Sequence, residues 1–120
     1  MLNLDTHILI YALSGTPKPR EREILASQTW SISAIVFWEI CKLAELGRVD
    51  IDVNDADVAR TLQRIYTWPL TLEICRESCR LDVRADPADQ LIAATSIVHR
   101  VPLLTRDRVL RGSKRIPLAK

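Results

Sequence analysis

Four carboxylates fall where an enzyme could use them, namely Asp5, Glu39, Asp89 and Asp107. Asp5 and Asp107 each follow a short apolar run, and Asp89 lies one turn into the helix predicted to begin at Asp86-Pro87. Each aspartate also has an ordinary explanation, because Asp is a favoured helix N-cap and stabilises the first helical turn through the helix dipole. Position alone therefore leaves a structural and a chemical role open for these three.

Glu39 is harder to explain as a structural residue. On a helix its neighbours one and two turns away are all apolar: Ile35, Val36, Leu43 and Leu46. A buried carboxylate without a partner is unfavourable by several kcal/mol, or its pKa rises until it is neutral. A Lys or Arg partner, a metal ion or a water-filled cleft would each relieve this. Ionisable groups on apolar faces tend to mark sites, which favours the cleft.

If these carboxylates are gathered together, they predict a metal site. Clustered carboxylates raise one another's pKa, so a site that keeps them close tends to hold a cation. Oxygen-only ligands select Mg²⁺ or Mn²⁺ over Zn²⁺. A few carboxylates with retained waters is the usual arrangement for Mg²⁺ acting on phosphate esters.

The elements that must position these acids alternate along the chain. We expect strands at 2–4, 30–33 and 101–105 and near Ile116. Helices are predicted to start near Thr6 and to cover 21–27, 34–46 (capped by Ser33), 54–66 (capped by Asn54), 71 to about 82, 86–99 and a turn near Val109. This alternation predicts a parallel sheet with helices on its faces, whose ligands lie beyond the carboxyl ends of the strands.

The composition is that of one globular domain covering residues 1–120. Hydrophobic residues make up 48% and charged residues 27%, which argues against disorder. No apolar run is long enough to cross a bilayer, and the first residues carry no basic leader, so we expect no membrane partner. Three unpaired cysteines fit a reducing cytoplasm: Cys41, Cys75 and Cys79.

Charge is distributed unevenly along the chain. The net charge is only +2, but residues 106–120 carry +5 and residues 1–105 carry −3. A basic end on a mildly acidic body suggests a polyanion or an acidic protein as partner, or simply a solvated segment.

Four stretches resemble PIN-domain ribonucleases of the VapC toxin type, in that family's order and over nearly the whole chain. They are 4–10 (Leu-Asp-Thr-His-Ile-Leu-Ile), 33–40 (Ser-Ala through Trp-Glu-Ile), 86–95 (Asp-Pro-Ala-Asp-Gln-Leu-Ile-Ala-Ala-Thr) and 102–107 (Pro-Leu-Leu-Thr-Arg-Asp). The last two are the most specific in combination. One departure is the end of the chain, where relatives often continue to an aromatic residue beyond the position of Lys120.

The resemblance implies a three-layer α/β/α sandwich with a central, mainly parallel sheet. It also implies metal-dependent cleavage of RNA, with Mg²⁺ or alternatively Mn²⁺ held by an acidic quartet that maps onto Asp5, Glu39, Asp89 and Asp107. Supporting polar positions map onto Thr6, Ser33 and Thr105, and we place Asp86, a predicted N-cap, beside them. Members of this type usually dimerise and are neutralised by a small antitoxin.

Three arginines follow the fourth stretch and could hold an RNA backbone or an antitoxin: Arg106, Arg108 and Arg111. Both interpretations are open. His7 lies beside the Asp5-Thr6 pair but is expected to have a catalytic role only if its geometry suits a general base. Trp38, next to Glu39, is a candidate anchor for a dimer.

Two other functional classes remain open at this point. The chain could be a catalytically silent interaction module with the same fold. It could also be a phosphotransfer domain, which likewise places an Asp after its first strand. One such class requires a second Asp where this chain has His7, and the other a late Lys where it has Thr105-Arg106-Asp107.

Overall fold

The computed structural model describes residues 1–120 and places four parallel strands in one sheet. The strands are β1 (Leu2–Leu4), β2 (Trp30–Ser33), β3 (Tyr66–Trp68) and β4 (Leu103–Leu104), in the spatial order β3-β2-β1-β4. The helices are α1 (Thr6–Ser14), α2 (Pro19–Ser27), α3 (Ile35–Glu45), α4 (Ala56–Gln63), α5 (Leu72–Ser78), α6 (Pro87–His99) and α7 (Arg108–Arg111). The α/β fold class and the parallel sheet are confirmed.

The first strand lies inside the sheet, between β2 and β4. Asn3 is aligned with Ser31 on one side and with Leu103 on the other. The three residues of β1 are buried, as expected for a parallel sheet with both faces covered. Because all pairs are parallel, the residues that follow each strand meet at one edge of the sheet.

A buried polar side chain fixes α6 against this strand. The Asn3 amide nitrogen donates to the Ile92 carbonyl oxygen at 3.0 Å and to Ser96 Oγ at 2.8 Å. Side chains alternate along a strand, so Leu2 and Leu4 enter the core on the opposite face. Asn3 thus sets the position of the helix that carries Asp89, a role that its place in an apolar run did not reveal.

The prediction of one helix over 54–66 is wrong at both ends. Helix α4 is capped by Asp55 rather than Asn54, since the Asp55 carboxylate accepts from two backbone amides at 3.1 Å. Tyr66 belongs to a strand that pairs with β2. Aromatic and β-branched residues suit a half-buried edge strand, and the pairing with β2 decides the outcome.

Two further boundaries differ near the end of the chain. Helix α5 ends at Ser78 instead of continuing to about residue 82. The Ser78 carbonyl oxygen, which a longer helix would use, accepts a hydrogen bond from Gln90 Nε2 at 2.9 Å. The final strand predicted near Ile116 is reduced to a single bridge between Leu103 and Leu118. Pro117 lacks the N–H that a longer ladder would use. No helix has the length and apolar character needed to span a bilayer.

Candidate active site

Asp5 stands at the carboxyl end of β1 and caps α1. Its side chain is 6% exposed, with Oδ1 accepting from the Thr6 backbone amide at 2.8 Å and Oδ2 from Thr105 Oγ1 at 2.5 Å. Burial raises the pKa of Asp5, although these two bonds and the charge of His7 act in the other direction. No Lys or Arg forms an ion pair with it.

Glu39 reaches the same edge from the first half of α3. Its Oε1 accepts from Thr6 Oγ1 at 2.5 Å, so Thr6 contacts two carboxylates, Asp5 through its backbone amide and Glu39 through its hydroxyl. Burial raises the pKa of Glu39, the Thr6 bond lowers it, and the charge of Asp5 raises it again. No Lys or Arg pairs with Glu39, which removes the structural partner from the alternatives raised by its apolar setting.

Asp89 is the most perturbed carboxylate. It lies in the first turn of α6, half-buried, and its pKa is raised to about 7. The causes are burial first and then the charges of Asp5, Glu39, Asp107 and Asp86, in that order. All four predicted acids are therefore close enough to interact electrostatically at this edge.

Asp107 performs the capping role that its position predicted. Its Oδ1 accepts from the backbone amides of Val109 at 2.8 Å and Leu110 at 3.1 Å, which leaves Oδ2 without a hydrogen bond. The backbone amide of Asp107 donates to Thr105 Oγ1 at 3.0 Å. Asp86 is the N-cap residue of α6, as predicted, but its exposed side chain makes no hydrogen bond to the backbone amides of the helix.

The supporting residues divide into two groups. Thr6 and Thr105 are buried, and each donates its hydroxyl to one carboxylate of the site. Ser33 is also buried, but its Oγ accepts from the Ile35 amide at 3.3 Å and bonds none of the four acids. His7 is exposed, and its charge lowers the pKa of Asp5.

Two of the three arginines predicted to hold RNA or an antitoxin make contacts within the chain. Arg106 forms an ion pair with Glu21, and Arg111 Nη1 donates to the Thr105 carbonyl at 3.2 Å. Arg108 is exposed and its side chain makes no hydrogen bond within the chain. Of the three, only Arg108 keeps its whole guanidinium available to a partner.

Comparison with known proteins decides the family. The model of the PIN domain family matches residues 3–114. The chain belongs to the PIN domain family. A relative in Mycobacterium tuberculosis strain H37Rv, Ribonuclease VapC22, is 28% identical over 120 residues, which covers 92% of this chain and 90% of the relative. The family resemblance inferred from the four stretches is confirmed. Membership of this family excludes the alternative of a phosphotransfer domain.

Solved structures agree on the fold of this PIN domain. A toxin–antitoxin complex from Klebsiella pneumoniae has a TM-score of 0.73 at 21% identity and covers 93% of this chain and 92% of that one. VapBC2 from Rickettsia felis, bound to a promoter DNA fragment, has a TM-score of 0.71 at 20% identity, covering 99% and 98%.

The donor set of this PIN domain suits a hard cation that keeps part of its water shell. No three His, Cys, Asp or Glu side chains are arranged to hold a metal ion by themselves. Magnesium is typically bound through one or two carboxylates with several waters retained, so a looser ring of acids is compatible with it. Burial is the first cause of the raised pKa values of Asp5, Glu39 and Asp89, and the charges of neighbouring acids add to it. No Lys or Arg forms an ion pair with any of the three.

Proposed function

We propose that this PIN domain is a Mg²⁺-dependent endoribonuclease of the VapC type and the toxin of a toxin–antitoxin pair. The observation that carries the proposal is the meeting of four carboxylates at one sheet edge without a cationic partner, with the pKa of Asp89 raised to about 7. The choice of RNA as substrate is supported by the relative named as a VapC ribonuclease. A catalytically silent module would not need this unfavourable clustering of charge.

In this proposal Asp5 and Asp89 hold the ion, directly or through water, and Glu39 and Asp107 complete the negative charge around it. Mg²⁺, or Mn²⁺ in its place, would lower the pKa of a coordinated water and offset the charge that develops on the phosphate. The fit is one of donor chemistry, since oxygen ligands are what these ions prefer.

The chain's own residues orient the acids. Thr105 and the Thr6 amide fix the two oxygens of Asp5, and the Thr6 hydroxyl fixes Glu39. Glu39 and the free Oδ2 of Asp107 orient the attacking water. The phosphate backbone of the RNA is bound by exposed cations such as Arg108, and contacts of this kind give affinity without sequence choice.

The deciding experiment is RNA cleavage by purified, partner-free protein with Mg²⁺, with Mn²⁺ and with EDTA. Asp5→Asn keeps the shape of the side chain and removes its charge, so we expect a folded protein that does not cut. Glu73→Gln is the matched control, because Glu73 is an exposed acid outside the site, and it should cut like the wild type. Cleavage that persists in EDTA or in Asp5→Asn would contradict the proposal. Folded protein that cuts no RNA class would favour the silent module.

We also propose an antitoxin partner, a homodimer and a cytoplasmic location. The antitoxin is supported by the solved neighbours, which are toxin–antitoxin complexes.

The dimer is supported by Trp38, which is 55% exposed on α3 although large aromatic side chains favour buried contacts. Sedimentation should show Trp38→Ala shifted towards monomer and Val109→Ala, at another exposed apolar residue, unchanged. Equal masses for wild type and Trp38→Ala would contradict the role of Trp38.

A further inference from the structure

Two acidic side chains of the chain are buried, Asp5 and Glu21, and only the first belongs to the proposed metal site. Glu21 lies on α2 and accepts three hydrogen bonds. The Lys18 backbone amide donates to Oε1 at 2.8 Å, and Arg106 donates Nη2 to Oε1 and Nε to Oε2, both at 2.7 Å. Such two-pronged pairing between guanidinium and carboxylate fixes orientation as well as distance.

The other face of Arg106 is also occupied. Its guanidinium carbon lies 3.8 Å from the centre of the Tyr11 ring on α1, a cation–π arrangement. Its side chain is only 29% exposed. Arg106 therefore ties two helices to the segment that follows β4.

That segment consists of Thr105, Arg106 and Asp107, and it carries part of the acidic site on either side of Arg106. Thr105 donates its hydroxyl to Asp5 and accepts on the same oxygen from the Asp107 amide. Any displacement of the Arg106 backbone moves both neighbours. Arg111 holds the Thr105 carbonyl from the side of α7, so the segment is fixed from two directions.

We propose that Glu21 is a positioning residue for RNA cleavage, an inference that rests on the proposed function. Its ion pair with Arg106 holds the 105–107 segment so that the Thr105 hydroxyl stays on Asp5 and Asp107 stays beside the other acids. Glu21 acts through Arg106 and touches no reacting group.

The test compares two Glu→Gln substitutions on the same helix. Glu21→Gln removes the charge that holds Arg106, whereas Glu23→Gln changes an exposed acid that pairs only with Arg20 on α2. We expect kcat of Glu21→Gln to fall about ten-fold with KM for RNA unchanged, since small misplacements of reacting groups reduce rate steeply. Glu23→Gln should keep both constants. Arg106→Lys keeps the positive charge but cannot form both hydrogen bonds to the Glu21 carboxylate. We expect its kcat to fall as in Glu21→Gln.

A readout without RNA accompanies the kinetics. In Glu21→Gln the Asp107 amide should exchange its hydrogen faster, since its acceptor Thr105 is less firmly held. Asp55→Ala removes the cap of α4 and lowers the melting temperature away from the site, so it reports the effect of lost stability alone. It should leave kcat and the Asp107 exchange rate unchanged at a temperature where it is folded.

Several results would overturn the inference. One is a Glu21→Gln protein with normal kcat and normal exchange at Asp107. Another is a raised KM with normal kcat, which would assign Arg106 to RNA binding. A third is an Asp55→Ala protein that loses kcat equally. If the wild type does not cut RNA, the proposed function fails, and the exchange rate at Asp107 still decides whether Glu21 holds the segment.

Discussion

Asp5 and Glu21 are buried to nearly the same extent, 6% and 8% exposed, yet their electrostatic situations are opposite. Asp5 accepts hydrogen bonds from neutral groups, and burial raises its pKa. Glu21 accepts from a guanidinium, and that bond lowers its pKa despite burial. The depth of a carboxylate is thus a poor guide to its role, and the charge of its partner is a better one.

The contrast extends to the surroundings of each residue. Asp5 has further acids beside it, and its charge contributes to raising the pKa of Glu39 and Asp89. Glu21 has a cation of the same chain in direct contact. The acids around Asp5 keep a negative charge that an external cation can balance. The charge of Glu21 is already balanced by Arg106 within the fold.

The largest expected effect is stabilisation by the external cation. Under the proposed function, Mg²⁺ at roughly one hundred times its Kd should raise the free energy of unfolding by about 2.7 kcal/mol, because the acidic edge that would bind it exists only in the folded state. Asp5→Asn should remove most of this increase. Urea denaturation with Mg²⁺ and with EDTA measures it. If Mg²⁺ does not change the free energy of unfolding of the wild type, the acids around Asp5 do not bind a cation and the contrast with Glu21 is wrong.

The second largest effect is expected at the ion pair between Glu21 and Arg106. Arg106→Gln leaves Glu21 buried without its cation and should reduce the free energy of unfolding by about 2 kcal/mol, below the value for a fully buried pair because Arg106 is partly exposed. The pKa of Glu21 is lowered in the fold, so the pair's stabilisation is present above the ordinary pKa of Glu and is lost as the pH falls. The difference between variant and wild type should therefore shrink in acid denaturation series. A constant difference would show that Arg106 acts by packing.

A smaller effect of opposite sign is expected for Asp89. Its pKa is raised to about 7, so protonation stabilises the fold below that pH and the contribution is lost as the pH rises through 7. In EDTA at pH 8, Asp89→Asn should be more stable than wild type by about 1 kcal/mol after allowing for solvent screening. The gain should vanish near pH 4. A destabilised Asp89→Asn would mean that Asp89 has a structural partner.

The smallest effect is expected at an exposed pair. Arg20 and Glu23 are each 68% exposed, so Arg20→Gln should change the free energy of unfolding by less than about 0.5 kcal/mol. The same urea denaturation measures it beside Arg106→Gln. Equal losses for the two arginines would show that burial does not distinguish these ion pairs.

The sequence predicts which acids lie at the sheet edge better than it predicts the bounds of the elements around them. Residues that follow parallel strands must meet at one edge, which located Asp5 and Asp107, and an acid in an apolar stripe located Glu39. Strand β3 was missed because three residues carry too little periodicity, and its pairing with β2 is a tertiary effect.

The Glu21–Arg106 pair could not be predicted for a different reason. Glu21 and Arg106 are 85 positions apart in the sequence. Glu21 lies in a segment rich in charged residues, a pattern that predicts a solvent-exposed helix. Locally, Glu21 differs from Glu23 only in its place at the start of α2, where its carboxylate accepts from the Lys18 amide. The pairing of Glu21 with Arg106 depends on the approach of the segment after β4, which leaves no local signal.

The position of β1 between β2 and β4 has a consequence for the order of folding during synthesis. The strand made first cannot gain its second neighbour until β4 has left the ribosome, and the bond from Thr105 to Asp5 joins residues 100 positions apart. Contacts of such long range form late and slowly. A nascent chain therefore carries Asp5 without Thr105 or Asp107, so the cell meets the assembled acidic edge only when nearly the whole domain has been made.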